Sequence, residues 1–298
     1  MKIISGSSNV QLATQIAHQL NTPLMDTEIT QFANGEKRVW IKEAVRGENV
    51  ILVQSFSQPT DEHIMEFLLM TDALERLGAR HITLILPWMG YSLQDKVFRE
   101  GEAIAAKVVA NLVSNAYIKR AFLLDLHNTS TPGFFSVPTE YLSAMELFID
   151  YVKTNLDLSQ AVVASPDFGG LKRARVFARS LDLNLVNIDK DRDLKTGVVT
   201  AFGVHGDVKN KIVLLFDDCI LSGGTVVEAA EILKKEGAKA VYFLATHGLF
   251  TGEAKEKMQK SQVDKVVVTN SIAQEKLPSK IEVLDLAPIF VNAINDWM

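Results

Sequence analysis

The stretch Ile212-Val213-Leu214-Leu215-Phe216-Asp217-Asp218-Cys219-Ile220-Leu221-Ser222-Gly223-Gly224-Thr225 decides the architecture. Five apolar residues in a row suit a strand covered on both faces. Two carboxylates follow where the apolar run ends, and then Ser-Gly-Gly-Thr opens a helical pattern at 225–236. In an open α/β sheet, ligands bind at the carboxyl ends of the strands. Adjacent carboxylates there can accept hydrogen bonds from vicinal hydroxyls. Glycines before a helix start let backbone N–H groups surround a phosphate, which the helix dipole also favours. One loop thus offers a polyol end and a phosphate end, the two ends of a ribose phosphate. It lacks the Gly-Lys-Ser/Thr ending of a P-loop.

Working outward, further apolar runs of strand length stand at 2–5, 50–54, 81–86, 121–126, 161–164, 185–188, 240–245, 265–269 and 281–285. Helical patterns at 9–20, 60–77, 102–114 and 170–180 fall between them. This alternation predicts an α/β fold of mainly parallel sheets flanked by helices. A weak internal repeat supports two similar domains. Leu74-Glu75-Arg76-Leu77-Gly78-Ala79-Arg80 precedes one strand, and Leu233-Lys234-Lys235-Glu236-Gly237-Ala238-Lys239 precedes another. The expected domains are 1–145 and 146–298, with a last helix able to pack on the N-terminal domain.

At 298 residues the chain is long enough for two cores, and 47% hydrophobic with 22% charged residues is ordinary for a globular protein. The net charge of −5 argues against non-specific nucleic-acid binding. The single cysteine, Cys219, permits no intrachain disulfide. The start Met-Lys-Ile-Ile-Ser-Gly-Ser-Ser carries no long apolar run, so no signal peptide is expected. No stretch reaches the ~18 apolar residues of a membrane span. The expectation is a cytoplasmic protein with neither membrane nor nucleic acid as partner.

The 212–225 segment resembles the phosphoribosyl-diphosphate binding motif of type I phosphoribosyltransferases. Other motifs narrow the resemblance to the ribose-phosphate diphosphokinases. They are Phe32-Ala33-Asn34-Gly35-Glu36, Val45-Arg46-Gly47, Pro87-Trp88-Met89-Gly90-Tyr91 leading to Gln94-Asp95, and Asp125-Leu126-His127 with Gly133-Phe134-Phe135. Ser165-Pro166-Asp167-Phe168-Gly169-Gly170 with Arg173-Ala174-Arg175, Ile188-Asp189-Lys190-Asp191-Arg192, Ala245-Thr246-His247-Gly248 and Leu286-Ala287-Pro288 extend it over nearly the whole chain.

The resemblance implies two phosphoribosyltransferase-type domains and transfer of diphosphate from ATP to the anomeric hydroxyl of ribose 5-phosphate. It implies Lys190 and Arg192 as catalytic cations, placed just past a strand end in a lid-like segment. It implies Phe32, Asn34, Glu36, Gln94 and Asp95 as ATP-binding, and Asp217, Asp218, Ser222, Gly223, Gly224 and Thr225 as ribose-phosphate-binding. Mg²⁺ is implied at His127 and Asp167, and so is a homo-oligomer, dimer or hexamer, because the Phe32–Glu36 loop reaches a neighbouring subunit's ATP. His18, His63, His81 and His205 are expected to be structural or solvated, and Phe67, Met65 and Met70 to pack in a core or a subunit interface.

The sequence also departs from the family pattern. Leu93 stands where Arg is usual, Val97 and Phe98 make the same loop more apolar, Leu221 replaces an acid, Ser222 stands where Thr is common, and Asp193-Leu194-Lys195-Thr196-Gly197 is less basic than usual. These departures leave two further readings: the same chemistry on a larger acceptor such as ADP-ribose, or a catalytically silent regulatory homologue.

Overall fold

The computed structural model describes residues 1–166, 169–192 and 199–297, and of 189–192 and 199–202 the backbone alone. The chain divides into two compact units, 1–143 with 270–273 and 285–298, and 144–269 with 274–284.

In the first unit, β1 (Lys2–Ser5), α1 (Val10–Gln19), β2 (Thr27–Gln31), β3 (Lys37–Ile41), β4 (Asn49–Val53), α2 (Thr60–Arg76), β5 (His81–Leu86), α3 (Ala105–Asn115), β6 (Arg120–Leu124) and β7 (Thr139–Leu142) follow in order. Five strands form a parallel sheet in the order β1-β4-β5-β6-β7. Val50, Leu52, Ile82 and Leu84 share a core with Phe67, Met70 and Leu74 of α2 and Val109 and Val113 of α3. The intervening Ile3, Ile51, Val53 and Phe122 are also buried, so both faces of the sheet are covered. β2 and β3 form a separate antiparallel hairpin. Its one-sided alternation differs from the all-apolar runs that mark the other strands.

The second unit contains α4 (Met145–Asn155), β8 (Ala161–Ser165), α5 (Leu171–Ser180), β9 (Leu185–Arg192), β10 (Val199–His205), β11 (Ile212–Ile220), α6 (Gly224–Lys235), β12 (Ala240–Gly248), α7 (Ala254–Lys260), β13 (Lys265–Thr269) and β14 (Ile281–Leu284). The sheet order is β10-β9-β8-β11-β12-β13-β14, parallel except at β10. The chain therefore winds outward in one direction from β8 and in the other from β11, and the switch point lies between those two strands. Val213 and Leu215 share a core with Val226, Ala229 and Leu233 of α6. The alternate residue Phe216 meets Phe177 of α5, stacked at 4.3 Å, and Phe148 of α4, edge-on at 5.5 Å.

The repeated corner has a common physical basis. Gly78 and Gly237 both take positive φ, 81° and 87°. Ala79 N–H donates to the Leu74 carbonyl and Ala238 N–H to the Leu233 carbonyl, each at 3.0 Å. Each glycine thus closes a helix in the left-handed cap that favours this residue and turns the chain into the next strand.

The last helix, α8 (Ala287–Trp297), belongs to the first unit and packs on α1. Asn270 anchors its start: its Oδ1 accepts from Leu286 N–H at 2.8 Å, its carbonyl accepts from Asn9 Nδ2 at 2.7 Å, and its Nδ2 donates to Gln15 Oε1 at 2.9 Å.

Candidate active site

β11 is longer than the apolar pattern suggests. It runs through both carboxylates to Ile220 because β12 continues to pair with it as far as Gly248. On its other side the pairing with β8 ends at Leu215. Beyond Leu215 the switch-point side of β11 is thus open, and Asp217 and Asp218 stand there at the carboxyl end of the sheet.

Arg173, in the first turn of α5, closes this gap. One guanidinium nitrogen, Nη1, donates to Asp217 Oδ1 and to Asp218 Oδ1, both at 2.9 Å. Asp217 Oδ1 also accepts from Asp218 N–H at 2.9 Å. Both acids are largely enclosed, with side chains 15% and 4% exposed. Burial, and then the neighbouring Asp218 charge, push the Asp217 carboxyl up to about 8, against the opposing pull of Arg173. The loop after β8 approaches closely: a Cβ built on Gly170 would lie 3.3 Å from Ser165 Oγ and 3.5 Å from Asp217 Oδ1. The Arg173-Ala174-Arg175 motif by itself does not reveal this role. Its part depends on where α5 sits, which spacing alone does not fix.

Past the diacid, Leu221 and Ser222 are exposed and Gly223 takes φ +76° as the N-cap of α6. That conformation is easy for glycine and strained for other residues. The twelve-residue α6 begins at Gly224, with Thr225 exposed in its first turn, so Ser222–Thr225 form an open helix N-terminus just beyond the acids. Such a terminus presents unbonded N–H groups and a positive dipole end to an anion.

Lys190 and Arg192 do not lie past a strand end. β9 continues through Arg192, and its backbone pairs Lys190 with Ala201 and Arg192 with Val199 of β10. The apolar run stops at Ile188, and the strand persists because β10 supplies a hydrogen-bonding partner. Pairing with β8 ends at Asn187, so both positions stand beyond β8 at the same carboxyl edge as Asp217. The lid-like segment, 189–195, runs at 193–195 into residues outside those described.

The other predicted residues belong to the first unit. Phe32, Asn34 and Glu36 are exposed in the turn of the β2–β3 hairpin. Phe32 N–H donates to the Glu36 carbonyl at 2.8 Å, Glu36 N–H to Asn34 Oδ1 at 3.2 Å, and Gly35 takes φ +91°. Gln94 and Asp95 follow β5, and Asp95 Oδ2 accepts from Asn128 Nδ2 at 2.7 Å. That bond ties their loop to the one after β6, which carries His127, exposed to solvent. Asn128 escaped the sequence reading because Asn is common in loops for local reasons.

Asp167, the other proposed metal residue, lies outside the described residues. Among the described residues no group of three or more His, Cys, Asp and Glu could hold a metal ion. An exposed His127, on the loop that Asn128 bonds to Asp95, suits an ion that takes most of its ligands from phosphate and water, as Mg²⁺ does.

Known proteins match this arrangement along its whole length. Residues 1–116 match the family model described as the N-terminal domain of ribose phosphate pyrophosphokinase, and 195–297 the phosphoribosyl synthetase-associated domain. A ribose-phosphate pyrophosphokinase of Campylobacter jejuni is 42% identical over 98% of this chain and 94% of its own. The chain belongs to the ribose-phosphate pyrophosphokinase family. A relative of the same name from Thermotoga maritima is 39% identical over 99% of this chain and 94% of its own. The crystal structure of phosphoribosylpyrophosphate synthetase from Mycobacterium smegmatis superposes with a TM-score of 0.92 at 35% identity, covering 99% of this chain and 98% of that one. In this pyrophosphokinase-family chain no helix among the described residues is long and apolar enough to cross a membrane.

Proposed function

We propose that the chain transfers the diphosphate of ATP to the anomeric hydroxyl of ribose 5-phosphate, giving phosphoribosyl diphosphate and AMP. The observation that carries this reading is the Arg173-bridged pair Asp217 and Asp218 set directly before the glycine-started N-terminus of α6, at the sheet's switch point. The acids accept hydrogen bonds from the vicinal ribose hydroxyls, and the N–H groups of Ser222–Thr225 surround the 5-phosphate. The anomeric oxygen bonds to the β-phosphorus, the bond from that phosphorus to the oxygen bridging to the α-phosphate breaks, and AMP leaves with that oxygen while the hydroxyl proton passes to solvent.

Negative charge spreads over the oxygens of the moving group, so catalysis is positioning plus cations. Lys190 and Arg192 supply that charge. Phe32 stacks on the base, Asn34 and Glu36 hydrogen-bond to it, and Gln94 and Asp95 hold the rest of ATP. Mg²⁺, held by ATP with His127 and Asp167, neutralises phosphate charge when bound. The exposed Phe32–Glu36 turn reaches the ATP of a neighbouring protomer, so the active form is a homo-oligomer.

A single assay tests the reading. With ATP, ribose 5-phosphate and Mg²⁺, AMP and phosphoribosyl diphosphate are expected in equal amounts, none in excess chelator, and the active species is expected to sediment as an oligomer. Ribose 5-phosphate is expected to exceed ADP-ribose at least ~10-fold in kcat/KM, about 1.4 kcal/mol of transition-state binding. Faster turnover of ADP-ribose would transfer the reading to the larger acceptor. No turnover of either would leave a regulatory homologue.

A further inference from the structure

The loop after β1 has the build of an anion site: Gly6-Ser7-Ser8-Asn9 lies at the carboxyl edge of a parallel sheet, before α1. A side chain of the protein occupies it. Glu66, from the second turn of α2, is fully buried. Its Oε1 accepts from Ser7 N–H at 2.6 Å and from Gln54 Nε2 at 3.0 Å, and its Oε2 accepts from Ser7 Oγ at 2.7 Å. Gln54 is fixed in turn, accepting from Ser8 Oγ at 2.7 Å and donating to the His63 carbonyl at 3.1 Å.

A cation faces this carboxylate. Lys37 Nζ lies 3.6 Å from Glu66 Oε2 and 3.1 Å from Glu62 Oε2, and the Lys37 side chain is only 16% exposed. Lys37 is the first residue of β3, directly after the Phe32–Glu36 turn. Exposed lysines gain little from ion pairs, because holding a long side chain costs entropy. A mostly enclosed lysine against a fully buried carboxylate is different, since losing either partner strands a charge in low dielectric.

We infer that Lys37 and Glu66 form the anchor that holds the nucleobase-binding turn in place, and that Lys37 is a positioning residue for ATP. The inference rests on the proposed role of Phe32. The hairpin has no place in the five-stranded sheet. The pair binds its root, where the turn emerges, to a rigid helix–sheet network. Ordering the turn before ATP arrives removes an entropic cost from binding that would otherwise fall on the nucleotide.

The test compares Lys37→Met, Lys37→Arg, Glu66→Gln and Phe32→Ala with the wild type in steady-state kinetics, with amide exchange of residues 32–36 followed by mass spectrometry. Lys37→Met is expected to raise KM for ATP about tenfold, the scale of coupling within one side-chain network. Its kcat and its KM for ribose 5-phosphate are expected to stay near wild type, amides 32–36 to exchange faster, and Lys37→Arg to restore both. Glu66→Gln keeps the hydrogen-bonding shape but loses the charge, and is expected to shift the same two readouts. Should that variant fail to fold, the two Lys37 variants still decide. An unchanged KM for ATP in Lys37→Met, or a fall in kcat with KM for both substrates moving together, would overturn the anchor. Phe32→Ala separates the two ideas. If it raises KM for ATP while Lys37→Met does not, the anchor alone fails; if it leaves KM for ATP unchanged, the role of the turn fails.

Discussion

Lys190→Ala is expected to lower kcat by about 10²–10³-fold while changing KM for ATP and ribose 5-phosphate far less, and Arg192→Ala to do the same. The expectation rests on where charge develops. Bound ATP carries its negative charge on the phosphates already, whereas the transfer step moves charge onto the oxygens of the migrating group. A cation complementary to that redistribution stabilises the transition state more than the ground state, so its loss falls on kcat. The backbone suits the role: β9 and β10 hold both positions in a hydrogen-bonded ribbon beyond the end of β8, at the edge where Asp217 stands. A hydrogen-bonded ribbon carries cations with less reorganisation than a free loop would. Single-turnover and steady-state kinetics on the two variants give the answer. Near wild-type turnover in Lys190→Ala, or a loss confined to KM, would remove the residue from the chemistry.

The same strand shows where sequence reasoning holds and where it stops. Apolar runs located most strands because parallel sheets bury both faces, and the Asp-Asp and Ser-Gly-Gly-Thr elements marked a strand end and a helix start because their signals are local. Periodicity says nothing about a strand that continues through charged residues. β9 past Ile188 and β11 past Phe216 persist because β10 and β12 supply backbone partners, which is a property of topology. The half-exposed strands of the β2–β3 hairpin lack the apolar runs that marked the others. Contacts between distant residues left no trace in spacing. Arg173 meets Asp217 and Asp218 across 44 and 45 positions, and Lys37 of β3 meets Glu66 of α2. These contacts become visible only when helices are placed against strands.

Asp217→Asn is expected to weaken ribose 5-phosphate binding and to stabilise the folded protein at alkaline pH. The two effects have one cause. Where it is ionised, a carboxylate hydrogen-bonded to hydroxyls contributes about 1.5–3 kcal/mol, so its loss should raise KM for the acceptor roughly 10- to 100-fold at alkaline pH. Asp218→Asn is expected to act in the same direction, because both acids share the Arg173 guanidinium and face the same open side of β11. The stability effect follows from linkage. Burial and the Asp218 charge raise the Asp217 carboxyl from 3.8 to about 8 in the folded state. Between those values the folded form holds the proton more tightly than the unfolded chain, so stability falls as pH rises through the window. Asparagine cannot ionise, and the fall should be absent from the variant. Thermal melts at pH 5 and pH 8 are therefore expected to show a gain in Tm for Asp217→Asn at pH 8 that shrinks at pH 5, alongside the loss of acceptor affinity. This is the pattern of a buried acid that costs the empty fold stability once it ionises. An acceptor KM left unchanged in both variants would end the assignment of the diacid to the pentose hydroxyls, and a Tm gain no larger at pH 8 than at pH 5 would show that Asp217 is not the strained group.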